Sequence, residues 1–300
     1  MEPRHRPPRF ADCDILRVPV GPGALQVERY GHGGRDLVLL HGFGTSAFLW
    51  RRVGPALAVA GMTAWAPDLF GHGASDRPVG AAYDIRAQAE YLAHALRHLE
   101  IHGATLVGSD IGAAVAVCLA LEAPDAVARL ALISPAPLRG TPGPEIRLMQ
   151  RESARHLLRL VRGLFGAHPL ILALLQNAVS DPTRLDLRLA GRYVAPYVGR
   201  EGLNHFLALA RSIEEDDLGD IDPARVTQPT LVLHGDSDRW CSATEAHELA
   251  RRFADATAEW ITGSGRLIAE EQPDALTRRL VAFARMERGE RAAPAGEVNA

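Results

Sequence analysis

The segment at residues 104–112, Ala-Thr-Leu-Val-Gly-Ser-Asp-Ile-Gly, constrains the fold of this chain more than any other stretch. Its first half is apolar and β-branched, which is typical of a buried strand, and residues 113–120 predict a buried helix. The join between them therefore has almost no loop. So sharp a turn needs small residues two positions before and after its apex, where Gly108 and Gly112 stand. We predict that Asp110, at the apex, adopts a strained backbone conformation with its side chain exposed above the sheet.

The spacing of this turn makes Asp110 a candidate nucleophile. A carboxylate in that position attacks a carbon atom of the substrate and forms an ester. Ser109 is displaced from the apex by one residue. An Asp between glycines after a strand is also a common helix N-cap, and these nine residues alone leave that alternative open.

Composition excludes several classes of function. The chain has 300 residues, a length typical of one α/β domain with an insertion, and a formal net charge of -3. This balance predicts no strong attraction to nucleic acid or to an anionic membrane. The N-terminus lacks an apolar signal segment, and no apolar run approaches the roughly 20 residues of a membrane span. The three cysteines form neither a disulfide framework nor a metal-ligand pattern, so we expect a cytoplasmic protein.

Strand-like and helix-like segments alternate along most of the chain. From about residue 136 to residue 217 the pattern is helical, with no convincing strand. This order predicts a mainly parallel eight-stranded α/β sheet flanked by helices, with a helical cap inserted after the sixth strand. We assign residues 13–135 and 218–288 to the core and residues 136–217 to the cap, and we expect disordered tails at residues 1–12 and 289–300.

Four motifs in this order carry a family resemblance. They are His41-Gly42-Phe43-Gly44, residues 68–76 (Asp-Leu-Phe-Gly-His-Gly-Ala-Ser-Asp), the turn at Asp110, and residues 234–238 (His-Gly-Asp-Ser-Asp). Together the motifs resemble the α/β-hydrolase superfamily across most of the chain, from residue 13 to residue 288. Because the residue at the turn is Asp, the chain resembles in particular the branch that contains epoxide hydrolases and haloalkane dehalogenases.

The resemblance implies roles for residues at the carboxyl ends of the strands, where ligands bind in such sheets. The backbone N–H groups of Phe43 and Ile111 are expected to bind an oxyanion or a halide, with His41 in the same substrate-binding loop. Asp238, after the seventh strand, stands at the position of the family's catalytic acid. We expect the neighbouring Asp236 to stabilise the turn.

The chain departs from the family at the catalytic histidine. The family places this residue after the eighth strand, between a Gly-x-Gly motif and a Glu-x-Pro motif, and here Arg266 occupies the position. Arginine cannot act as a base, because its pKa exceeds 12 and it has no acceptor atom. We expect Arg266 to pair with both Asp110 and Asp238, and we expect ester hydrolysis to be weak or absent unless another residue activates water. His156 and His205, in the cap, are the remaining histidines that could reach the site.

The cap offers two candidate acids. Enzymes of the epoxide-hydrolase-like branch use cap tyrosines to donate a proton to the epoxide oxygen, and Tyr193 and Tyr197 are the candidates here. Either could equally be a packing aromatic. Ile111 stands where dehalogenase-like enzymes often have a halide-binding Trp, which favours epoxide chemistry.

These observations lead to three hypotheses. The first is an epoxide-hydrolase-like enzyme that acts on a small hydrophobic substrate through Asp110, as a monomer or a homodimer. The second is a non-hydrolytic enzyme on the same scaffold, catalysing epoxide opening, cyclisation or dehydration in a biosynthetic pathway, and the Arg266 substitution motivates it. The third is a catalytically inactive ligand-binding homologue. None of the three implies a metal or an organic cofactor.

Overall fold

A computed structural model describes residues 13–135, 144–151, 168–198, 201–213 and 221–287. The tails predicted at residues 1–12 and 289–300 lie outside this described part. The described strands form one sheet of eight, with the order β1-β2-β4-β3-β5-β6-β7-β8. They are β1 (Asp14–Pro19), β2 (Ala24–Tyr30), β3 (Asp36–Leu40), β4 (Thr63–Pro67), β5 (Ala104–Ser109), β6 (Val127–Ile133), β7 (Thr230–Gly235) and β8 (Ala256–Ile261).

The sheet is mainly parallel, as predicted. Strand β2 pairs antiparallel with both β1 and β4, and the remaining neighbours pair parallel. Strands β5 and β7 are buried along their whole length. Apolar strands of this kind are expected in a parallel sheet that is covered on both faces.

Helices cover both faces of the sheet and the edge above it. The described helices are α1 (Val53–Val59), α2 (Ile85–His98), α3 (Ile111–Glu122), α4 (Pro144–Gln150), α5 (His168–Asn177), α6 (Leu187–Val194), α7 (Gly202–Arg211), α8 (Ala243–Ala250), α9 (Ile268–Glu271) and α10 (Pro273–Arg285). None of these described helices is long and apolar enough to cross a membrane. Helices α4 to α7 come from the segment predicted as the cap, and its described residues include no strand.

The helix-like segment that follows β3, residues 47–60, does not form one continuous helix. The structure divides it into a 3₁₀ turn, Ala47–Trp50, and helix α1. Pro55 explains the division, because it has no backbone N–H with which to continue a helical ladder from the preceding turn. The 3₁₀ turn is held instead by Asp68, whose Oδ1 accepts a hydrogen bond of 2.7 Å from the backbone N–H of Ala47.

Candidate active site

The backbone conformation of Asp110 confirms the sharp turn between β5 and α3. Asp110 has a φ of 55° and a ψ of -119°, a conformation that is strained for a residue with a side chain. A Cβ atom on Gly108 would lie 2.3 Å from the carbonyl oxygen of Gly112, and one on Gly112 would lie 2.6 Å from the carbonyl oxygen of His41. Both glycines are therefore required by close backbone contacts, and the turn lifts Asp110 above the sheet.

The loop after β3 holds one oxygen of the Asp110 carboxylate. The backbone N–H of Phe43 donates a hydrogen bond of 2.9 Å to Oδ2 of Asp110. Gly42 allows this approach, because a Cβ atom there would lie 2.7 Å from the Cβ atom of Asp110. Ile111 follows Asp110 as the first residue of α3, and the first N–H groups of a helix have no acceptor within the helix. Of the two amides expected to bind an oxyanion, that of Phe43 contacts the carboxylate directly, and that of Ile111 begins the helix that follows it.

The other oxygen of Asp110 pairs with Arg266. Nη2 of Arg266 donates to Oδ1 of Asp110, and Nη1 lies 4.0 Å from Oδ2 of Asp238. The side chains of Arg266, Asp110 and Asp238 are 6%, 17% and 0% exposed, respectively. Burial opposes the charge of the guanidinium, but the two carboxylates raise the pKa of Arg266 above its ordinary value. The predicted arrangement, an arginine between two acids, is therefore present.

Asp238 and Trp240 complete this cluster at the end of β7. Oδ1 of Asp238 accepts a hydrogen bond of 2.9 Å from the backbone N–H of Trp240. The guanidinium carbon of Arg266 lies 5.1 Å from the centroid of the Trp240 ring, which is a cation–π distance. From the sequence alone, Trp240 is interpreted as a core residue, and the structure places it at the site instead. Its position two residues after the candidate acid is the signal that could have identified it.

Two further carboxylates hold the loop that carries Arg266. Oε2 of Glu271 accepts a hydrogen bond of 2.7 Å from the backbone N–H of Gly265. Oδ1 of Asp236 accepts one of 2.9 Å from the backbone N–H of Gly263. Asp236 thus joins the loops after β7 and β8, in agreement with its expected structural role, and Glu271 belongs to the Glu-x-Pro motif. Both residues fix the backbone from which Arg266 extends.

A cavity lies directly above Asp110, with a volume of about 40 Å³. Apolar side chains of α4 and α5 form its roof, and Asp110, Arg266 and Trp240 lie at its polar end. The residues that line it are Gly42, Phe43, Gly44, Thr45, Asp110, Ile146, Ile171, Leu174, Leu175, Ala178, Trp240, Arg266 and Leu267. Sequence reasoning did not identify the aliphatic residues of the roof, because they resemble any other buried side of a helix.

Five of the predicted site residues do not line this cavity: His41, Ile111, Tyr193, Tyr197 and Asp238. His41 is fully buried, and its ring donates to the carbonyl of Gly42 from Nδ1 at 2.8 Å and accepts from the N–H of Leu69 at Nε2 at 3.0 Å. Burial lowers the pKa of His41 to about 4, so the ring is neutral and holds two loops together. The structure therefore places its side chain in the scaffold, apart from the substrate-binding surface expected from sequence.

The two cap tyrosines are also directed elsewhere. The hydroxyl of Tyr193 donates to Glu270, which forms a two-pronged ion pair with Arg51 at 2.6 and 2.7 Å. Tyr197 is 1% exposed, and its ring packs 4.9 Å from that of Phe206. The expectation that one of them donates a proton in the cavity gains no support from this arrangement.

Of the two candidate cap histidines, the one that the structure describes, His205, is not at the cavity either. His205 donates from Nε2 to the carbonyl of Gly71 at 2.7 Å and is absent from the lining, and His156 lies outside the described residues. Among the described residues, no group of three or more His, Cys, Asp or Glu side chains is placed to hold a metal ion. The chemistry available at the cavity is therefore that of Asp110, Asp238, Arg266 and the loop amides.

Sequence comparisons find relatives of several kinds. The chain is 30% identical over 211 residues to an uncharacterized protein of Mycobacterium tuberculosis and spans only 56% of the length of that protein. It is 27% identical to epoxide hydrolase A of the same organism, with 86% of this chain and 93% of the relative covered. It is 31% identical to the magnesium-chelatase 30 kDa subunit of Rhodobacter capsulatus, with 92% and 97% covered.

Structural comparison agrees with the strand order. The crystal structure of wild-type Cfl2 from Burkholderia cenocepacia matches with a TM-score of 0.80 at 28% identity, covering 93% of this chain and 98% of Cfl2. Residues 37–273 match the family model described as the alpha/beta hydrolase fold. This chain therefore belongs to the α/β-hydrolase family.

Proposed function

We propose that this chain is an epoxide-hydrolase-like enzyme that opens a small hydrophobic epoxide through Asp110. One observation carries the proposal: an ionisable carboxylate stands on a strained turn at the polar end of an otherwise apolar cavity. An N-cap role does not account for this position, because the Asp110 side chain makes no capping hydrogen bond to α3. Its oxygens face Phe43 and Arg266 instead.

The first step is the formation of an ester. One oxygen of Asp110 bonds to an epoxide carbon, the ring C–O bond breaks, and its electron pair remains on the ring oxygen. Because the Phe43 amide holds Oδ2, Oδ1 is the oxygen that attacks and Oδ2 becomes the carbonyl oxygen of the ester. The N–H groups of Phe43 and Ile111 then stabilise the charge that develops on Oδ2 when the ester is hydrolysed.

Arg266 takes the place of a tyrosine as the electrophile in this scheme. Its guanidinium borders Oδ1 of Asp110, and the ring oxygen of a bound epoxide is attached next to the carbon under attack. An N–H of Arg266 can therefore stabilise the negative charge on that oxygen, although it does not give up its proton. The pairing with Arg266 also weakens Asp110 as a nucleophile, so we expect slow turnover.

The cavity favours a compact apolar substrate. Its volume of about 40 Å³ is room for only about three water molecules. The aliphatic side chains of Ile146, Ile171 and Leu174 form part of the wall. A small alkyl or aryl epoxide suits this lining better than a charged or sugar-like molecule, which would leave polar groups without partners.

A non-hydrolytic activity remains the second candidate, because Arg266 occupies the position of the family's base. In that case another nucleophilic group of the substrate bonds to the carbon that carries Asp110 and displaces the carboxylate, and the product contains no oxygen from solvent. An inactive homologue would bind ligand without either outcome. The three hypotheses therefore differ in what happens to the bond between Asp110 and the substrate.

Intact-protein mass spectrometry with a panel of small epoxides separates these outcomes. We expect a covalent adduct that maps to Asp110 and that decays slowly to a diol. The variant Asp110→Ala should form no adduct, whereas Ser109→Ala, its buried neighbour in the chain, should react as the parent does. A rearranged product without solvent oxygen would favour the second hypothesis. Thermal stabilisation by epoxides without adduct or product would overturn the proposal in favour of an inactive homologue.

A further inference from the structure

Two buried polar atoms at the site face each other without a partner. Among the described residues, Oδ2 of Asp238 and Nη1 of Arg266 have no hydrogen-bond partner. They lie 4.0 Å apart on side chains that are 0% and 6% exposed. Polar atoms so deeply buried are normally satisfied by a hydrogen-bond partner, and leaving one unsatisfied is destabilising.

The separation of these atoms fits a single water molecule. Hydrogen bonds of about 2.8 Å to each atom would place a water between them, accepting from Arg266 and donating to Asp238. The distance of 4.0 Å between the two atoms is too long for a direct hydrogen bond, whereas a bridging water satisfies both atoms. Nη2 of the same guanidinium contacts the carboxylate of Asp110. The planar guanidinium of Arg266 would therefore contact both this water and the carboxyl group of residue 110.

We propose that a water molecule held between Asp238 and Arg266 attacks the carboxyl carbon of residue 110, with Asp238 as the base. This inference rests on the proposed function, in which that carbon belongs to an ester. Asp238 removes a proton from the water, whose oxygen adds to the carbon and carries the developing charge to Oδ2. Collapse breaks the bond between the carbon and Oδ1, and Oδ1 takes the second proton of the water as it leaves with the product. The proton held by Asp238 passes to the ring oxygen, so water and epoxide together give a diol and a free carboxylate.

The arrangement also explains how hydrolysis can persist without the family's histidine. A carboxylate is a much weaker base than imidazole, so Asp238 supplies only part of the usual acceleration. The sequence places Asp238 at the position of the family's catalytic acid. Here its Oδ2 lies 4.0 Å from Nη1 of Arg266, and it acts on water directly.

A substrate-free experiment tests this water. In the variant Asp110→Asn, the same attack on the side-chain amide releases ammonia and restores aspartate, with the proton leaving on the ammonia. We expect this conversion in water labelled with heavy oxygen to place one labelled oxygen in residue 110, without isoaspartate. Adding Asp238→Asn should slow the conversion roughly a hundredfold. Adding Glu245→Gln, an exposed carboxylate that caps α8, should leave the rate unchanged.

The pH profile gives a second readout that a purely structural role for Asp238 would not produce. With an ionised carboxylate as the base, conversion of Asp110→Asn should be independent of pH from 6 to 8, the range in which an ordinary carboxylate is ionised. Attack by hydroxide would instead rise about tenfold per pH unit. No conversion, equal rates with and without Asp238→Asn, or the hydroxide profile would each overturn the inference. If no epoxide alkylates the parent chain, the proposed function fails while this conversion still reports on the water.

Discussion

Replacing Arg266 by methionine tests the charge balance on which the site depends. The substitution keeps a long side chain and removes the cation that borders Asp110 and Asp238. The two carboxylates are 17% and 0% exposed, so solvent cannot replace the lost partner. Removing one member of a buried ion pair typically costs about 3–5 kcal/mol, because a charge remains buried without compensation. We expect Arg266→Met to lower the free energy of unfolding by this amount.

A matched arginine on the surface provides the control. Arg17 pairs with Asp76, but these side chains are 46% and 42% exposed. Exposed pairs contribute about 0–1 kcal/mol, so Arg17→Met should lie within about 1 kcal/mol of the parent. Urea unfolding at pH 7 measures both, and an unchanged slope with denaturant would show that the two variants unfold from comparable states.

A second substitution identifies the origin of the loss. If buried charge is responsible, Asp110→Asn added to Arg266→Met should restore part of the stability, since one uncompensated carboxylate disappears. Equal losses for Arg266→Met and Arg17→Met would refute the reasoning. A double variant less stable than Arg266→Met alone would also refute it, because packing would then outweigh charge.

Three further predictions follow from other parts of the structure. Burial lowers the pKa of His41 to about 4 from 6.5, so the unfolded chain binds a proton that the folded chain excludes. The contribution of this residue to the free energy of unfolding is therefore complete above pH 6.5 and is lost as the pH falls toward 4, by up to about 3 kcal/mol. Urea denaturation at a series of pH values should show a smaller loss of stability for His41→Gln than for the parent. Gly112→Ala should unfold at a much lower urea concentration, because its Cβ would meet backbone oxygens. Gly191→Ala has open space around it inside α6 and should gain up to about 1 kcal/mol in the free energy of unfolding. Similar unfolding midpoints for the two variants would contradict this reasoning. Arg266→His should speed decay of the ester adduct about a hundredfold or more in mass-spectrometric time courses, since imidazole is the stronger base, and an unchanged decay would argue against Arg266 at the base position.

Local sequence was sufficient for the fold and for the centre of the site. The alternation of strands and helices, the Gly108–Gly112 spacing and the position of Arg266 before Glu271 act over short stretches of chain. Each reflects a local requirement, such as burial on both faces of a strand or the absence of a side chain in a tight turn. The eight strands and the contact of Arg266 with Asp110 are present as those patterns predicted.

The cap could not be predicted in the same way. A buried tyrosine in a helix has the same local sequence whether its hydroxyl meets a substrate or another carboxylate, and only packing brought Tyr193 to Glu270. Trp240 likewise became part of the site because the loop after β7 folds over Arg266.

By itself, the sequence determined the family, the strained turn and the presence of an arginine after the eighth strand, because close backbone contacts and residue chemistry are local properties. Tertiary structure alone decided which side chains close the cavity and which polar atoms are left facing each other. The cavity is closed by residues that are distant in the sequence, such as Ala178 and Leu267. The distances between such residues depend on how all the intervening helices and strands pack.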